Sequence, residues 1–281
     1  MKILITGGNG MVARATAAYC RSIGDEVFSF TRQDLDISSA EEVKAAFEKL
    51  RPEAVINCAA YTNVDGAESD RSAAEAVNSL GPEILANACR SVDSGFVTIS
   101  TDYVFDGKFD GFYTQRDTPH PLGIYGKTKL EGERRASNAY ARTVIVRSGW
   151  IYGAGGTNFL SVMPRMLAAG GKIKAIADSF GTPTYAADLA KRLRELAELN
   201  VPGIFHVTNE GEGSSFASFA EELCRITGSD PTLVVPVSHT ELQRPAPRPT
   251  SSKLACLYSR AFGLRPLPEW KEALNTFVLG S

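Results

Sequence analysis

A glycine-rich loop between a strand pattern and a helix pattern limits the possible folds of this chain more than any other feature. Residues 2–6, KILIT, are mostly β-branched and aliphatic, as in a buried strand. The glycines at positions 7, 8 and 10 follow directly, and residues 11–23 then carry apolar side chains at helical spacing up to a stop at Gly24. A glycine cluster alone indicates only a turn. In this position it favours a phosphate-binding loop, because the unpaired N–H groups of a helix N-terminus attract phosphate.

The spacing of the loop, Gly7-x-x-Gly10-x-x-Ala13, is a variant of the fingerprint of dinucleotide-binding folds. Alanine replaces the last glycine, at a point where a small residue allows close packing between helix and strand. The loop and the two elements around it therefore predict a dinucleotide site.

The residues after the second strand pattern indicate which dinucleotide binds. Residues 26–30 read EVFSF, and Thr31 and Arg32 follow. NAD-preferring sites place an acidic residue here for the ribose hydroxyls, whereas the planar guanidinium of arginine suits a phosphate. Asp34 and Asp36 come shortly afterwards and could bind a ribose instead. We therefore predict that NADPH is the preferred cofactor and that NADH is still used.

Strand and helix patterns alternate through the first two-thirds of the chain, which predicts an α/β fold with a doubly wound parallel sheet (Rossmann). Beyond Trp150 the pattern is less regular, and we interpret this part as a smaller C-terminal substrate-binding lobe. The predicted domains are a Rossmann dinucleotide-binding domain over residues 1–150 and the lobe over 151–281, from which segments around 183–208 return to the Rossmann domain. The predicted strands are 26–30, 54–58, 95–100, 143–147 and 203–208, and the predicted helices are 40–50, 72–92, 127–137, 157–169, 186–199, 214–227 and 269–278.

Composition and charge exclude several classes of partner. The formal net charge of −2 gives no reason to expect nucleic acid or an anionic membrane surface. No apolar run approaches the ~20 residues that span a bilayer. The five cysteines and three histidines are widely spaced, so we expect no metal site. We therefore predict a cytoplasmic protein with a small-molecule substrate.

Hydroxyl groups at one strand end and a tyrosine–lysine pair on the next helix are the candidates for chemistry. Ser100 and Thr101 lie at the carboxyl end of the strand predicted at 95–100, where open α/β sheets bind ligands. Tyr125 and Lys129 are four residues apart and share a helix face, and a nearby ammonium is expected to lower the pKa of a tyrosine. Alone, these features indicate a β-turn near 106–107 and a chance surface pair. Together they predict one site beside the glycine loop.

Eight sequence motifs identify a family that this chain resembles. They are TGGNGMVA, DLDIS, VINCAAYTNVDGAE, VNSLGPEILANAC, ISTDYVFDG, YGKTKLEGE, RSGWIYG and RPTSSKL, and they extend over nearly the whole chain. The combination of STDYVFDG with AAYTNVD is the most specific. On these motifs the chain resembles the extended short-chain dehydrogenases/reductases, and among them the dTDP-4-dehydrorhamnose reductase family.

The resemblance assigns roles to individual residues. It implies that Thr101, Tyr125 and Lys129 are catalytic. The residues implied to bind the cofactor are Gly7, Asn9, Gly10, Met11, Val12, Asp36, Ile37, Ala59, Ala60, Tyr61, Asn78, Ser100, Tyr125 and Lys129, in addition to Arg32 above. The residues implied to bind the substrate are Thr62, Val64, Thr101, Asp102, Tyr103, Tyr125, Trp150 and Arg248.

Some positions depart from the family pattern. Ala13 stands where glycine is common, and Gln115 stands where glutamate is usual in the segment YTQRD. Thr250 and Ser251 replace a frequent alanine and asparagine in RPTSSKL. The last two departures leave the identity of the sugar open.

The resemblance implies an enzyme that uses NADPH to reduce the 4-keto group of a dTDP-4-dehydro-6-deoxyhexose, dTDP-4-dehydro-L-rhamnose, to give dTDP-L-rhamnose. Two alternatives remain. One is a related reductase of another nucleotide-linked 4-keto sugar, since pocket residues and not the catalytic residues select the substrate. The other is a non-catalytic, NADP-binding regulatory subunit. Monomer and homodimer are both compatible with the sequence.

Overall fold

A parallel sheet of six strands with helices on both faces forms the centre of the structure, a computed structural model that describes residues 1–280. The strands are β1 (Lys2–Thr6), β2 (Glu26–Phe30), β3 (Ala54–Asn57), β4 (Gly95–Thr101), β5 (Thr143–Ser148), β6 (Ile151–Tyr152), β7 (Ile173–Ile176), β8 (Phe180–Gly181), β9 (Thr184–Tyr185), β10 (Gly203–His206), β11 (Ser214–Ser215) and β12 (Val234–Val237). The α-helices are α1 (Met11–Ser22), α2 (Ala40–Leu50), α3 (Gly66–Ser69), α4 (Arg71–Glu75), α5 (Gly81–Val92), α6 (Ile124–Ala139), α7 (Phe159–Ala168), α8 (Ala186–Leu199), α9 (Phe216–Thr227) and α10 (Trp270–Leu279).

The central sheet has the strand order β10-β5-β4-β3-β1-β2, and all neighbouring strands are parallel. The side chains of β1 alternate between two apolar cores. Ile3 and Ile5 pack in the core that contains residues of α1 and α8, and Leu4 packs in the core that contains residues of α2 and α5. Both faces of the sheet are therefore covered, as the predicted doubly wound parallel sheet requires, and this prediction is confirmed.

The predicted boundaries of most elements lie within a few residues of the observed ones, and the largest difference falls in the predicted helix 72–92. This segment divides into α4, a π-helical turn over Ala76–Leu80, and α5. Pro82 follows the turn and has no N–H to donate to the preceding helical residues, which favours a break here. The widened turn also meets α6 closely, because a Cβ on Gly132 would lie 2.0 Å from the carbonyl oxygen of Asn78.

The residues after β5 build a third apolar core, the C-terminal core, around Tyr152, Phe219 and Trp270. Three two-stranded pairings surround it, between β6 and β9, β7 and β12, and β8 and β11. Helix α8 does not join this core but packs on the sheet side that α1 covers, and β10 pairs with β5 at the sheet edge. The predicted domain boundary at residue 150 stays a proposal. Residues 183–208 lie beyond this boundary in sequence, but their elements α8 and β10 pack on the central sheet.

Within residues 1–280, no helix is both long and apolar enough to cross a membrane. The same part of the chain contains no group of three histidine, cysteine, aspartate or glutamate side chains that could hold a metal ion.

Candidate active site

The carboxyl ends of β3, β4 and β5 border a cavity of about 380 Å³. Since parallel strands end at the same edge of a sheet, residues from distant parts of the chain meet here. The predicted site residues that line the cavity are Val12, Ala60, Thr62, Val64, Ser100, Thr101, Asp102, Tyr103, Tyr125, Lys129 and Trp150. A larger groove of about 790 Å³ lies elsewhere on α6 and is lined by residues such as Arg71 and Arg134.

Thr101 ends β4 and connects the strand to the catalytic tyrosine candidate. Its hydroxyl accepts a hydrogen bond from the backbone N–H of Tyr103 at 3.1 Å and donates to Oδ1 of Asp102 at 3.0 Å. The Thr101 and Tyr125 side chains line the same cavity, and the Thr101 hydroxyl is close enough to lower the pKa of Tyr125. The ring of Tyr103 meets the Tyr125 ring edge-on, with the centroids 5.9 Å apart. These contacts hold the Tyr125 hydroxyl beside Thr101 at the sheet edge.

Burial determines the protonation of Tyr125 and Lys129. Desolvation raises the pKa of Tyr125, and the nearby charge of Asp102 raises it further. Desolvation lowers the pKa of Lys129 to about 8, although Glu133 opposes this shift. The Lys129 ammonium donates to the carbonyl oxygen of Ile99 at 2.7 Å. The net pKa of Tyr125 is therefore raised rather than lowered as expected, because desolvation of the phenol is the largest effect.

A buried ion pair that the sequence analysis missed lies one helical turn beyond Lys129. Glu133 accepts hydrogen bonds from Nη2 of Arg147 at 2.6 Å, from Nε of Arg147 at 2.9 Å and from the Ser100 hydroxyl at 2.5 Å. Glu133 and Arg147 are only 4% and 2% exposed. The spacing Tyr125, Lys129, Glu133 could have revealed this contact, because residues four apart share one helix face.

Asp102 is a second buried carboxyl group, and it has polar but uncharged hydrogen-bond donors. Its Oδ2 accepts from the Ser252 hydroxyl at 2.5 Å, and its Oδ1 accepts from Thr101. A Cβ on Gly149 would lie 2.4 Å from the Asp102 carboxyl carbon, so the group is also packed against backbone. Burial raises the pKa of Asp102 to about 6. The sequence predicts a role in the site for Asp102 but none for Ser252.

The glycine loop approaches the backbone after β3 closely and leads into a helix whose start has no side-chain cap. Gly7 has a φ of +73°, and a Cβ there would lie 2.8 Å from the backbone nitrogen of Ala59. Helix α1 begins at Met11 after Gly10, and among the described residues no side chain caps its N-terminus. The first N–H groups of the helix are thus available to an anion. Ala13 is fully buried in the core, in agreement with the expected close packing.

Arg32, two residues after β2, is exposed to solvent and lies near two carboxylates. The Arg32 side chain is 80% exposed, and its Nε lies 3.4 Å from Oδ2 of Asp36. Asp34 accepts from the backbone N–H and the hydroxyl of Thr31, at 2.9 and 2.7 Å. The contact of Arg32 with a 2′-phosphate stays a prediction. Ile37 is 3% exposed in an apolar core, and its role beside adenine stays a prediction.

The Asn78 side chain holds the segment after β3 through hydrogen bonds to the backbone of Tyr61. It is 1% exposed, its Oδ1 accepts from the backbone N–H of Tyr61 at 2.9 Å, and its Nδ2 donates to the Tyr61 carbonyl at 3.1 Å. This amide therefore fixes the backbone between Ala59 and Tyr61. Direct contact of Asn78 with a cofactor stays a prediction.

Trp150 and Arg248 occupy different surroundings. Trp150 has a φ of +50°, and its ring stacks on Phe216 with the centroids 3.9 Å apart. It lines the cavity and at the same time contacts the C-terminal core. Arg248 instead forms a bidentate pair with Asp65, at 2.9 and 2.8 Å. Its predicted contact with substrate stays a prediction.

The two departures that left the sugar open lie outside the cavity lining. Nε2 of Gln115 donates to the sulfur of Cys256 at 3.1 Å, and its Oε1 accepts from the backbone of Leu257 at 3.1 Å. The Thr250 hydroxyl donates to the carbonyl of Gly107 at 3.1 Å. These side chains therefore stabilise loops around the site.

Comparisons with known proteins agree with this geometry. The family model described as RmlD substrate binding domain matches residues 1–280. The dTDP-4-dehydrorhamnose reductase of Mycobacterium tuberculosis H37Rv is 40% identical over 98% of this chain and 91% of its own length. A probable dTDP-4,6-dihydroxy-2-methyloxan-3-one 4-ketoreductase of Streptomyces antibioticus is 37% identical, with coverage of 98% and 94%. The crystal structure of a Bacillus anthracis dTDP-4-dehydrorhamnose reductase in complex with NADP superposes with a TM-score of 0.95, at 34% identity and full coverage of both chains.

Proposed function

The chain belongs to the RmlD substrate binding domain family, that of the dTDP-4-dehydrorhamnose reductases, and on this premise we propose that Thr101, Tyr125 and Lys129 carry its reaction. The protein is an NADPH-dependent oxidoreductase that reduces the 4-keto group of dTDP-4-dehydro-L-rhamnose to give dTDP-L-rhamnose. The observation that supports the assignment of residues is their convergence on one cavity beside the glycine loop.

When bound, NADPH supplies the hydride that adds to C4 of the sugar. Tyr125 gives its phenolic proton to the oxygen that gains charge as the carbonyl is reduced. Since burial raises its pKa, Tyr125 carries this proton at neutral pH. The Thr101 hydroxyl lies next to it and orients the carbonyl while stabilising the developing oxyanion.

Lys129 acts one helical turn away from Tyr125. Its pKa of about 8 keeps the amine mainly protonated at neutral pH. An ammonium in a buried, low-dielectric site stabilises the phenolate that Tyr125 becomes after proton transfer. Its hydrogen bond to Ile99 fixes the position of this charge and leaves its other two N–H groups for the ribose of the cofactor.

The cofactor residues act before the chemical step. The uncapped N-terminus of α1 binds the pyrophosphate, and the packing of Gly7 against Ala59 keeps the loop close to the sheet edge. Arg32 binds the 2′-phosphate and provides the preference for NADPH. Because both reactants are charged, water-soluble nucleotides, we propose a cytoplasmic location.

Reduction of another dTDP-linked 4-keto sugar is the second candidate, favoured by the 37% identity to the Streptomyces antibioticus 4-ketoreductase. The test is NADPH oxidation by the purified protein with dTDP-4-dehydro-L-rhamnose and, separately, with dTDP-4-keto-6-deoxy-D-glucose. A higher kcat/KM for the first sugar supports the proposed substrate, and a higher value for the second assigns the alternative. NADPH binding without turnover of either sugar would indicate the non-catalytic subunit.

A further inference from the structure

A row of neighbouring polar groups extends from Tyr125 into the protein interior. Tyr125 interacts with the Thr101 hydroxyl, Thr101 donates to Asp102, and Ser252 donates to the other oxygen of Asp102. Asp102 is 3% exposed and Ser252 is 2% exposed. The outermost member of the row is the residue that loses a proton in the proposed reaction.

Among the residues that the structure describes, no lysine or arginine pairs with Asp102 to hold it in the charged form. The titratable groups that act on it or are acted on by it are Tyr103, from its own turn, and Tyr125, from α6. The end of β5 contributes the backbone at Gly149, and the segment after residue 244 contributes the Ser252 hydroxyl. Within residues 1–280, no lysine or arginine forms a salt bridge with Asp102.

The nearest candidates for a counter-charge have other partners. The Lys129 ammonium donates to Ile99, and its charge faces Glu133. The Arg248 guanidinium pairs with Asp65. A carboxyl group that is buried without a cation favours its neutral, proton-carrying form.

We propose that Asp102 is a positioning residue that returns a proton to Tyr125 through Thr101 after each reduction. This inference rests on the proposed function. When Asp102 is protonated, its Oδ1–H donates to the Thr101 oxygen, which reverses the hydrogen bond of the carboxylate form and leaves the Thr101 proton to face Tyr125. In the step, the Tyr125 phenolate forms a new O–H bond with the proton of the Thr101 hydroxyl, and Thr101 regains a proton as the O–H bond of the Asp102 carboxyl breaks. No electron is transferred, and Asp102 ends as a carboxylate. It regains its proton from water when the product leaves the cavity.

This proton relay, from Asp102 through Thr101 to Tyr125, predicts in which direction the rate of reduction changes with pH. Reduction uses the protonated form of Asp102, whose pKa is about 6 because of burial. The contribution of the relay is therefore complete below this pKa and is lost as pH rises through it. Oxidation of the product alcohol uses the carboxylate form and has the opposite dependence. Above the pKa of Asp102 the rate of reduction falls about tenfold per pH unit, until direct proton exchange with solvent becomes faster than the relay.

The experiment compares kcat for NADPH-dependent reduction between about pH 5 and pH 9 in four proteins. They are the wild type, Asp102→Asn, Ser252→Ala and Ser251→Ala. Asp102→Asn keeps the size of the side chain and removes its ionisation. Ser252→Ala removes a hydroxyl that lowers the pKa of Asp102. Ser251 is the matched control, because its buried hydroxyl has no hydrogen-bond partner among the described residues.

We expect the wild type to lose about tenfold in kcat across an inflection near pH 6, which is separate from the one that Lys129 gives near pH 8, and Asp102→Asn to lack the inflection near pH 6. In Ser252→Ala the inflection should move to higher pH, and in Ser251→Ala it should stay in place. An unchanged inflection in Asp102→Asn, or equal inflections in the two serine variants, overturns the relay. If Asp102→Asn does not fold, the two serine variants decide. Absence of turnover in the wild type overturns the proposed function and the relay with it, whereas turnover with an unchanged inflection overturns the relay alone.

Discussion

The ion pair of Glu133 and Arg147 allows a quantitative test of how the site is held together. Glu133→Gln preserves the shape of the side chain but removes the charge that accepts two hydrogen bonds from Arg147, at 2.6 and 2.9 Å. Arg147 is 2% exposed, so its guanidinium would remain buried without a counter-charge. Breaking a buried pair in this way costs about 3–5 kcal/mol. We expect the free energy of unfolding to fall by that amount.

Glu131→Gln is the matched control on the same helix. Glu131 accepts from Nε of Arg135 at 2.8 Å, but the two side chains are 43% and 40% exposed. Exposed pairs contribute about 0–1 kcal/mol, so this variant should unfold almost as the wild type does. Urea denaturation followed by circular dichroism measures both variants. Equal free energies of unfolding for the two would refute the argument that burial makes the Glu133 pair important.

Three further variants test the assigned site residues. Tyr125→Phe should lower kcat by about 10²–10⁴-fold, because it removes the general acid, while NADPH binding measured by fluorescence stays intact; a rate near that of the wild type would contradict the assignment. Arg32→Ala should lower kcat/KM with NADPH by about tenfold or more and leave the value with NADH nearly unchanged, and equal losses would show that Arg32 does not bind the 2′-phosphate. Trp150→Ala should raise KM for the sugar with a small fall in Tm, since its stacking on Phe216 contributes about 0.5–1.5 kcal/mol; a large fall in Tm with unchanged KM would indicate a core role.

The central sheet could be predicted because its signals are local. The β1 segment alternates its side chains between two covered faces, and Gly7 and Gly10 mark the change from strand to helix. Helix α2 illustrates the same point, since Ser39 caps it by accepting from the backbone N–H of Glu42 at 3.3 Å and the predicted range 40–50 equals the observed one. Propensity, capping and periodicity agree in these elements, so a short stretch of sequence is enough to predict each of them.

The rest of the site depends on contacts that no local pattern contains. Ser252 reaches Asp102 across 150 residues of sequence, and the π-helical turn depends on how closely α6 approaches it at Gly132. The pKa of Tyr125 was predicted in the wrong direction for the same reason. A pattern that places Lys129 four residues away gives the spacing of the two groups, but it contains no information about their depth in the protein, and depth has the larger effect here.

The buried face of α6 explains why stability and chemistry are coupled in this site. A helix that packs on a sheet normally buries an apolar stripe, yet this face carries Tyr125, Lys129 and Glu133 in successive turns. Each of them meets a polar group of the sheet: the Thr101 hydroxyl, the Ile99 carbonyl, and the Ser100 and Arg147 side chains, respectively. The negative charge of Glu133 raises the pKa of Lys129 and so counteracts the effect of desolvation. It thereby helps to keep Lys129 in the ammonium form that stabilises a phenolate. The ion pair that holds α6 on the sheet thus also helps to maintain the charge of Lys129, the proposed catalytic lysine, and loss of Glu133 should affect both.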